Sequence, residues 1–344
     1  MKNPFSTTFG IEPDNYIQRI DIFNQIISEY SYDNPSNYVY LITGVRGSGK
    51  TALLSSVANH FKKDSDWIVV DPGPKDNILE NVASEIFEEA NLKKFFLKKE
   101  FSFSFHGATF SIKGQIPVST VHALLKRMLS ILKDKGKHVL VTIDEVDSSE
   151  QMKYFIQSYQ SLIRERYPIL LLMTGLYENF SRLQDDKSLT FLYRAPKFFL
   201  GPLPLSSIAN NYVKLLGVST SISFDMAKLT KGYAYGYQTL GYLFFQHSYK
   251  QINTDLINQF DQYMAIYVYD KIYAKLSNIE QKILKTIKDE PTSNKEICQS
   301  MGMDIKKYSV YRDRLIKKGI ISASSFGYVE LSLPRFYDFL LFKK

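Results

Sequence analysis

From residue 39 to about residue 203, short runs of consecutive apolar residues alternate with longer stretches in which apolar positions recur every three or four residues. A continuous apolar run reads as a strand buried on both faces, and the 3.6-residue period as a helix laid against a sheet. Strands are predicted at Val39–Ile42, Trp67–Asp71, His138–Ile143, Ile169–Thr174 and Lys197–Leu200. That alternation is βαβ grammar, so this part is expected to be an α/β core on a parallel five-stranded sheet. A helix over 78–92 is followed by an alternating Phe/Ser run folded about Gly107, which predicts a β-hairpin insertion near 101–114. Lysines 93, 94, 98, 99 and 113 flank it. Either this mixture meets a nucleic acid or protein partner, or the Phe face packs on the core and the lysines are solvated.

After Pro202 and Pro204 the strand signal stops, and helices are predicted over 205–216, 223–231, 235–249 and 254–276, a small helical lid. The last segment has its own pattern. An amphipathic helix over 279–287 ends at Glu290-Pro291-Thr292, Ser293 is placed to cap a helix to Met301 with Glu296 at the capping-box position, and a basic helix follows over 305–318. Two short strand signals around a Ser/Gly-rich turn come next, so helix-turn-helix plus β-ribbon reads as a winged helix. The expected organisation is a nucleotide-binding core over 1–202, a lid over 203–275 and a winged helix over 276–344. No repeat period supports a solenoid.

At 344 residues, 44% hydrophobic and 14% aromatic, the chain suits several packed cores rather than a disordered polymer. A single cysteine, Cys298, excludes an internal disulfide, and five scattered histidines show no zinc spacing. The start lacks an apolar leader and stretches such as Ile169–Met173 are too short to span a bilayer, so a cytoplasmic protein without a membrane segment is expected. Net charge is +8, and residues 276–344 hold thirteen Lys and Arg against eight Asp and Glu. The positive excess is therefore concentrated in the last fifth, where a polyanionic partner is expected.

The run Gly44-Val45-Arg46-Gly47-Ser48-Gly49-Lys50-Thr51 spells G-x-x-x-x-G-K-T where the first strand feeds a helix. Glycine alone adopts the backbone angles that turn successive N–H groups inward on a β-phosphate. Lys50 then spans the β- and γ-phosphates, and the Thr51 hydroxyl is a ligand for Mg²⁺. ATP or GTP is the expected ligand, and no Asn-Lys-x-Asp run is present to read guanine. Some ninety residues on, Val139–Ile143 ends in Asp144-Glu145. Asp144 is placed to hold the metal and Glu145 to orient and deprotonate the attacking water. Thr174, at the end of the next strand, is either a polar sensor of the γ-phosphate or a cap for the helix near Tyr177.

These residues resemble the AAA+ ATPase superfamily, in its branch of archaeal and bacterial STAND-like ATPases and archaeal origin-recognition initiators. The resemblance makes Gly44–Thr51 the Walker A motif, Val139–Glu145 the Walker B motif and Thr174 sensor 1, with ATP and Mg²⁺ as cofactors. It also makes Phe9 to Arg19, with Tyr16, Ile17 and Arg19, the N-terminal box that contacts adenine and ribose, with Gln18 in place of the usual glycine. Arg194, before the last core strand, falls where family members present an arginine finger to a neighbouring subunit; it equally suits a helix C-terminus. The sensor 2 region, Gly232-Tyr233-Ala234-Tyr235-Gly236-Tyr237-Gln238, contains no arginine, which implies slow, switch-like turnover.

On the basic helix, Lys307, Tyr311, Arg314 and Lys318 follow i, i+4, i+7 and i+11, one stripe that suits a DNA backbone or groove. Val310, Leu315 and Ile316 are expected on the buried side. The resulting expectation is an ATP-dependent switch that binds double-stranded DNA and can self-associate. The alternative is a STAND-like signalling or defence ATPase whose winged helix contacts protein and brakes the nucleotide site.

Overall fold

The structure is a computed structural model that describes all residues except 1, 9, 11, 74–76, 90–102, 106–107, 111–119 and 344. The chain packs as two compact units. One gathers Met1–Arg19, Gly44–Ala52 and Phe199–Lys344; the other gathers Ile20–Thr43 and Leu53–Phe198.

The second unit holds the sheet. Strands β1 (Val39–Thr43), β2 (Trp67–Val70), β5 (His138–Val146), β6 (Ile169–Gly175) and β7 (Lys197–Phe199) lie in the order β2-β5-β6-β1-β7. The neighbours β2/β5, β5/β6 and β6/β1 are parallel. Every residue of β1 and β6 is buried, which is why their sequence is continuously apolar rather than alternating. Helices α1 (Ile20–Tyr30), α2 (Lys50–Phe61), α3 (Ile78–Glu88), α4 (Val121–Asp134), α5 (Glu150–Arg164) and α6 (Tyr177–Gln184) flank these strands in sequence. Thr120 caps α4 by accepting from Ala123 N, and Ser149 caps α5 by accepting from Met152 N. Buried tyrosines tie the layers: Tyr30 donates to Leu171 O and Tyr159 to Tyr38 O, each at 2.7 Å. Between α3 and α4, β3 (Phe103–Phe105) and β4 (Ala108–Phe110) pair antiparallel, with Phe103 opposite Phe110. Gly107 and the flanking lysines lie outside the described residues.

Strand β6 separates the strand that feeds the glycine-rich loop from the strand that ends in Asp144-Glu145. Its register, Ile42 opposite Thr174 and Ile143 opposite Met173, brings the ends of the three strands level.

In the first unit, α7 (Leu205–Leu216), α8 (Thr220–Leu229), α9 (Ala234–Gln246) and α10 (Thr254–Met264) form the helical segment. The helix expected to run unbroken over 254–276 changes to a π-helical turn at Ala265–Tyr269 before α11 (Asp270–Tyr273). The C-terminal elements are α12 (Asn278–Thr286), β8 (Thr292–Ser293), α13 (Asn294–Met301), α14 (Ile305–Lys317), β9 (Ile321–Ser325), β10 (Tyr328–Leu331) and α15 (Phe336–Phe342), with an antiparallel sheet β8-β10-β9. Ser293 caps α13 by accepting from Glu296 N, but the reciprocal capping box forms at Ser277 and Glu280, at the head of α12.

One apolar cluster runs from Phe5 and Val45 through Tyr212, Tyr233, Tyr237 and Phe260 to Tyr308, Leu315 and Phe336. Lid helices and C-terminal elements therefore share a core. Val310 is 51% exposed where burial was expected, whereas Tyr308 is 1% exposed. The reason is helical phase: Tyr308 and Leu315, seven residues apart, mark the inner face, and Val310 is turned about 200° from Tyr308. No helix among the described residues is long and apolar enough to cross a membrane.

Candidate functional site

The glycine-rich loop joins β1 to α2. Gly47 and Gly49 have φ of +77° and +91°, left-handed values that a side chain would strain. Its carbonyls are engaged one after another. Lys50 Nζ donates to Gly44 O and Val45 O, both at 3.0 Å. The Tyr233 hydroxyl donates to Arg46 O. Tyr235 N donates to Gly47 O at 3.0 Å, and Arg19 Nη2 donates to Ser48 O at 3.1 Å and Gly201 O at 2.6 Å.

These contacts explain the segment Gly232–Gln238 residue by residue. Gly232, at φ +75°, accepts from Leu203 N at 2.7 Å where a Cβ would meet Leu203 O at 2.6 Å. Burial pushes the Tyr233 hydroxyl pKa up, so it remains a protonated donor. Gly236 lets Pro334 of the C-terminal region approach to 3.4 Å of its would-be Cβ. Tyr237 packs edge-on to Phe5 at 5.7 Å. Gln238 accepts from Ser6 N at 3.0 Å and donates to Asn15 O at 2.8 Å, fastening the N-terminal segment. Gly319, in the turn after α14, lies against the loop as well, its would-be Cβ 3.4 Å from Val45 Cβ.

Arg19, expected in the adenine and ribose box, donates to one loop carbonyl, Ser48 O, and to Gly201 O. Tyr16 and Ile17 are half-buried, and Ile17 packs on the apolar cluster. Thr51 and Lys50, at the head of α2, are half-buried.

The second unit carries the carboxylates. The β5/β6 register breaks between Ile143 and Val146, so Asp144 and Glu145 stand out of the ladder as a bulge. Glu145 is exposed and adopts φ +54°. Its N–H bonds Asp144 Oδ1 at 3.0 Å and Thr174 Oγ1 at 3.3 Å. Thr174 is fully buried and its hydroxyl donates to Asp144 Oδ1. It does not cap the following helix, whose N-cap residue is Leu176 and has no side-chain cap bond. Desolvation first, and the charge on Asp144 second, raise the Asp71 carboxyl above its ordinary value. Arg194 closes a 3-10 helix, Lys187–Arg194, and is exposed.

Residues 25–172, which span β1, the glycine-rich loop, the acid-terminated strand and most of β6, match the family model of an ATPase domain predominantly from Archaea. Residues 25–172 therefore carry an ATPase domain. Residues 267–340 match a second model, a domain of unknown function (DUF8462). No curated protein matches the sequence. The chain is similar in fold to the Walker-type ATPase of Pyrococcus abyssi, at 15% identity and a TM-score of 0.63 over 95% of this chain and 96% of that one. It is similar also to the ORC2 protein of Aeropyrum pernix in its ADPNP-ADP complexes, at 15% identity and 0.60 over 97% and 95%. A third likeness is to Cdc6p of Pyrobaculum aerophilum, at 14% and 0.51 over 97% and 96%. At such identities the likeness is one of fold, and it extends over nearly the whole chain.

On the basic helix the expected stripe divides. Lys307 and Arg314 are exposed, Arg314 lying over the Tyr311 ring at 5.8 Å. Lys318 instead turns inward and pairs with Glu280 at 2.8 Å, their side chains 12% and 5% exposed. Lys306 and Lys317 are exposed and were not in the expected stripe; Lys317 also pairs with Asp313 at 2.7 Å.

Proposed function

We propose that this ATPase is a nucleotide-dependent switch whose C-terminal region, read as a winged helix, binds duplex DNA. The observation that carries the proposal is the shared compact unit of the Walker A loop and the C-terminal elements, with Gly319 packed on Val45. A change in the loop on binding triphosphate is felt where the basic helix ends. The order helix, strand, helix, helix, strand, strand over residues 278–331, with a three-stranded antiparallel sheet, supports the winged-helix reading. The DNA-facing surface is the exposed side of α14, with Lys306, Lys307, Arg314 and Lys317.

At the nucleotide, Lys50 neutralises the triphosphate, and Tyr16 and Ile17 lie in the segment assigned to the base. Thr51 in one unit and Asp144 in the other each carry the hard oxygen donors that Mg²⁺ prefers. Mg²⁺ would supply charge neutralisation on the phosphates. Glu145, exposed and held in place by its own backbone N–H, takes the proton of the attacking water. Without an arginine in Gly232–Gln238 to stabilise developing charge, turnover is slow. Arg194 is the exposed cation available to a second copy of the chain.

A second reading, a protein partner for the C-terminal region, is favoured by the apolar residues set among those lysines. Ile305 is 56% and Val310 51% exposed, and Phe326 at the β9–β10 turn is fully exposed. The deciding experiment is ATP hydrolysis by wild type and Glu145→Gln, with and without duplex DNA, at low and moderate salt. DNA stimulation that vanishes in the variant supports the DNA-coupled switch. Turnover indifferent to DNA, with no DNA binding at low salt, transfers the assignment to a protein partner.

A further inference from the structure

The three donors that grip the Walker A loop from outside act on three successive peptide groups. Tyr233 holds the carbonyl of Arg46, Tyr235 N that of Gly47, and Arg19 that of Ser48. In a trans peptide the C=O and the following N–H point in opposite directions. Fixing Arg46 O therefore fixes the direction of Gly47 N–H, and fixing Ser48 O fixes that of Gly49 N–H. Both of these glycines have left-handed φ, at +77° and +91°. An alternation of this kind is what makes a concavity of N–H groups for an anion.

Arg19 adds a second feature. Its guanidinium is largely buried, its pKa lowered to about 10 by that burial, and its bonds run to two backbone carbonyls. Among the described residues no carboxylate pairs with it. A desolvated cation whose partners are neutral carbonyls, one of them in the phosphate loop, is stabilised when an anion arrives at that loop.

We infer that Tyr233 and Arg19 are positioning residues for the nucleotide's phosphates: they touch no phosphate themselves but set the two glycine N–H groups that do, and Arg19 lends its charge from behind the loop. The inference rests on nucleotide binding at Gly44–Thr51. It assigns Arg19 to the phosphates rather than to adenine, and it gives Tyr233 a task that the missing lid arginine does not perform.

The test measures affinities of the full chain for ATP, ADP and AMP in wild type, Tyr233→Phe, Arg19→Gln and Arg19→Lys, with melting temperatures recorded without nucleotide. Tyr233→Phe deletes one hydroxyl and is expected to weaken ATP and ADP about tenfold, as loss of one orienting hydrogen bond does, while AMP affinity stays put and the nucleotide-free melting temperature falls by no more than a few degrees. Arg19→Gln is expected to do the same, and Arg19→Lys, which keeps the charge, to recover part of the loss. Equal losses for all three nucleotides, or wild-type ATP affinity in Tyr233→Phe, would overturn the inference. If Arg19→Gln does not fold, the Tyr233→Phe comparison decides. A wild type that binds no nucleotide would instead remove the reading on which the inference rests.

Discussion

Thr174 and Asp144 form a direct pair: the buried Thr174 hydroxyl donates to Asp144 Oδ1 and accepts from the neighbouring Glu145 N. One side chain on β6 thus holds the Asp144 carboxylate and the Glu145 backbone at the end of β5. It also helps hold Glu145 at φ +54°, a conformation costing about 1 kcal/mol or more for a residue with a side chain. Thr174→Val keeps the volume and removes both bonds. Steady-state kcat is expected to fall about 10- to 100-fold, the order seen when the partner that orients a metal-binding carboxylate is lost, while the Kd for ATP changes little. A kcat within twofold of wild type would reject this role.

Gly47 tests the loop from another side. Gly47→Ala places a methyl group 2.9 Å from Tyr235 Cβ and onto the Tyr233 hydroxyl, at φ +77°. Calorimetric titration is expected to show no ATP binding. Gly327→Ala is the matched control: its φ is +84° but nothing lies within 4 Å, so about 1 kcal/mol of stability is lost and ATP binding survives.

Lys307 and Arg314 are expected to separate from Lys318. Replacing the first two by Ala should weaken duplex DNA binding and reduce the log–log salt slope by about 2, one counterion per lost phosphate contact. Lys318→Ala leaves Glu280 buried without its partner, so its effect is on the melting temperature, with the salt slope preserved.

Acid titration follows from the same pair. Burial alone would raise the Glu280 carboxyl, but Lys318 and the Ser277 N–H and hydroxyl outweigh it and hold the pKa below its ordinary 4.5. A depressed folded-state value means that the contribution is complete above about pH 4.5 and is lost as pH falls through the folded value. Melting curves of wild type should therefore drop steeply below pH 4.5. Glu280→Gln is expected to be about 3 kcal/mol less stable at pH 7 and to show a flatter acid limb.

Much of this architecture is legible along the chain. Strands β1 and β6 are continuous apolar runs because both of their faces are covered, and the glycine-rich loop shows itself through residue types that the backbone angles require. The helix ends at Ser293 and Gly302 are equally local, since a cap involves neighbours in sequence. The face of α14 differs from the expected one at Val310 and Lys318 because a basic helix with few apolar residues carries a weak phase signal, and Tyr308 is the anchor that sets it.

By itself the sequence determined the α/β core, the Walker A loop, the acid-ended strand and the concentration of positive charge at the C-terminal end, all of which follow from local sterics, periodicity and composition. Tertiary structure decided which side chains hold those parts in working geometry. Tyr233 reaches the Arg46 carbonyl across 187 positions, Arg19 reaches Ser48 across 29, and Lys318 finds Glu280 across 38. Such pairings are selected when apolar burial brings distant segments together and the polar groups enclosed there must find partners or bear the cost of desolvation, a requirement that no linear pattern records.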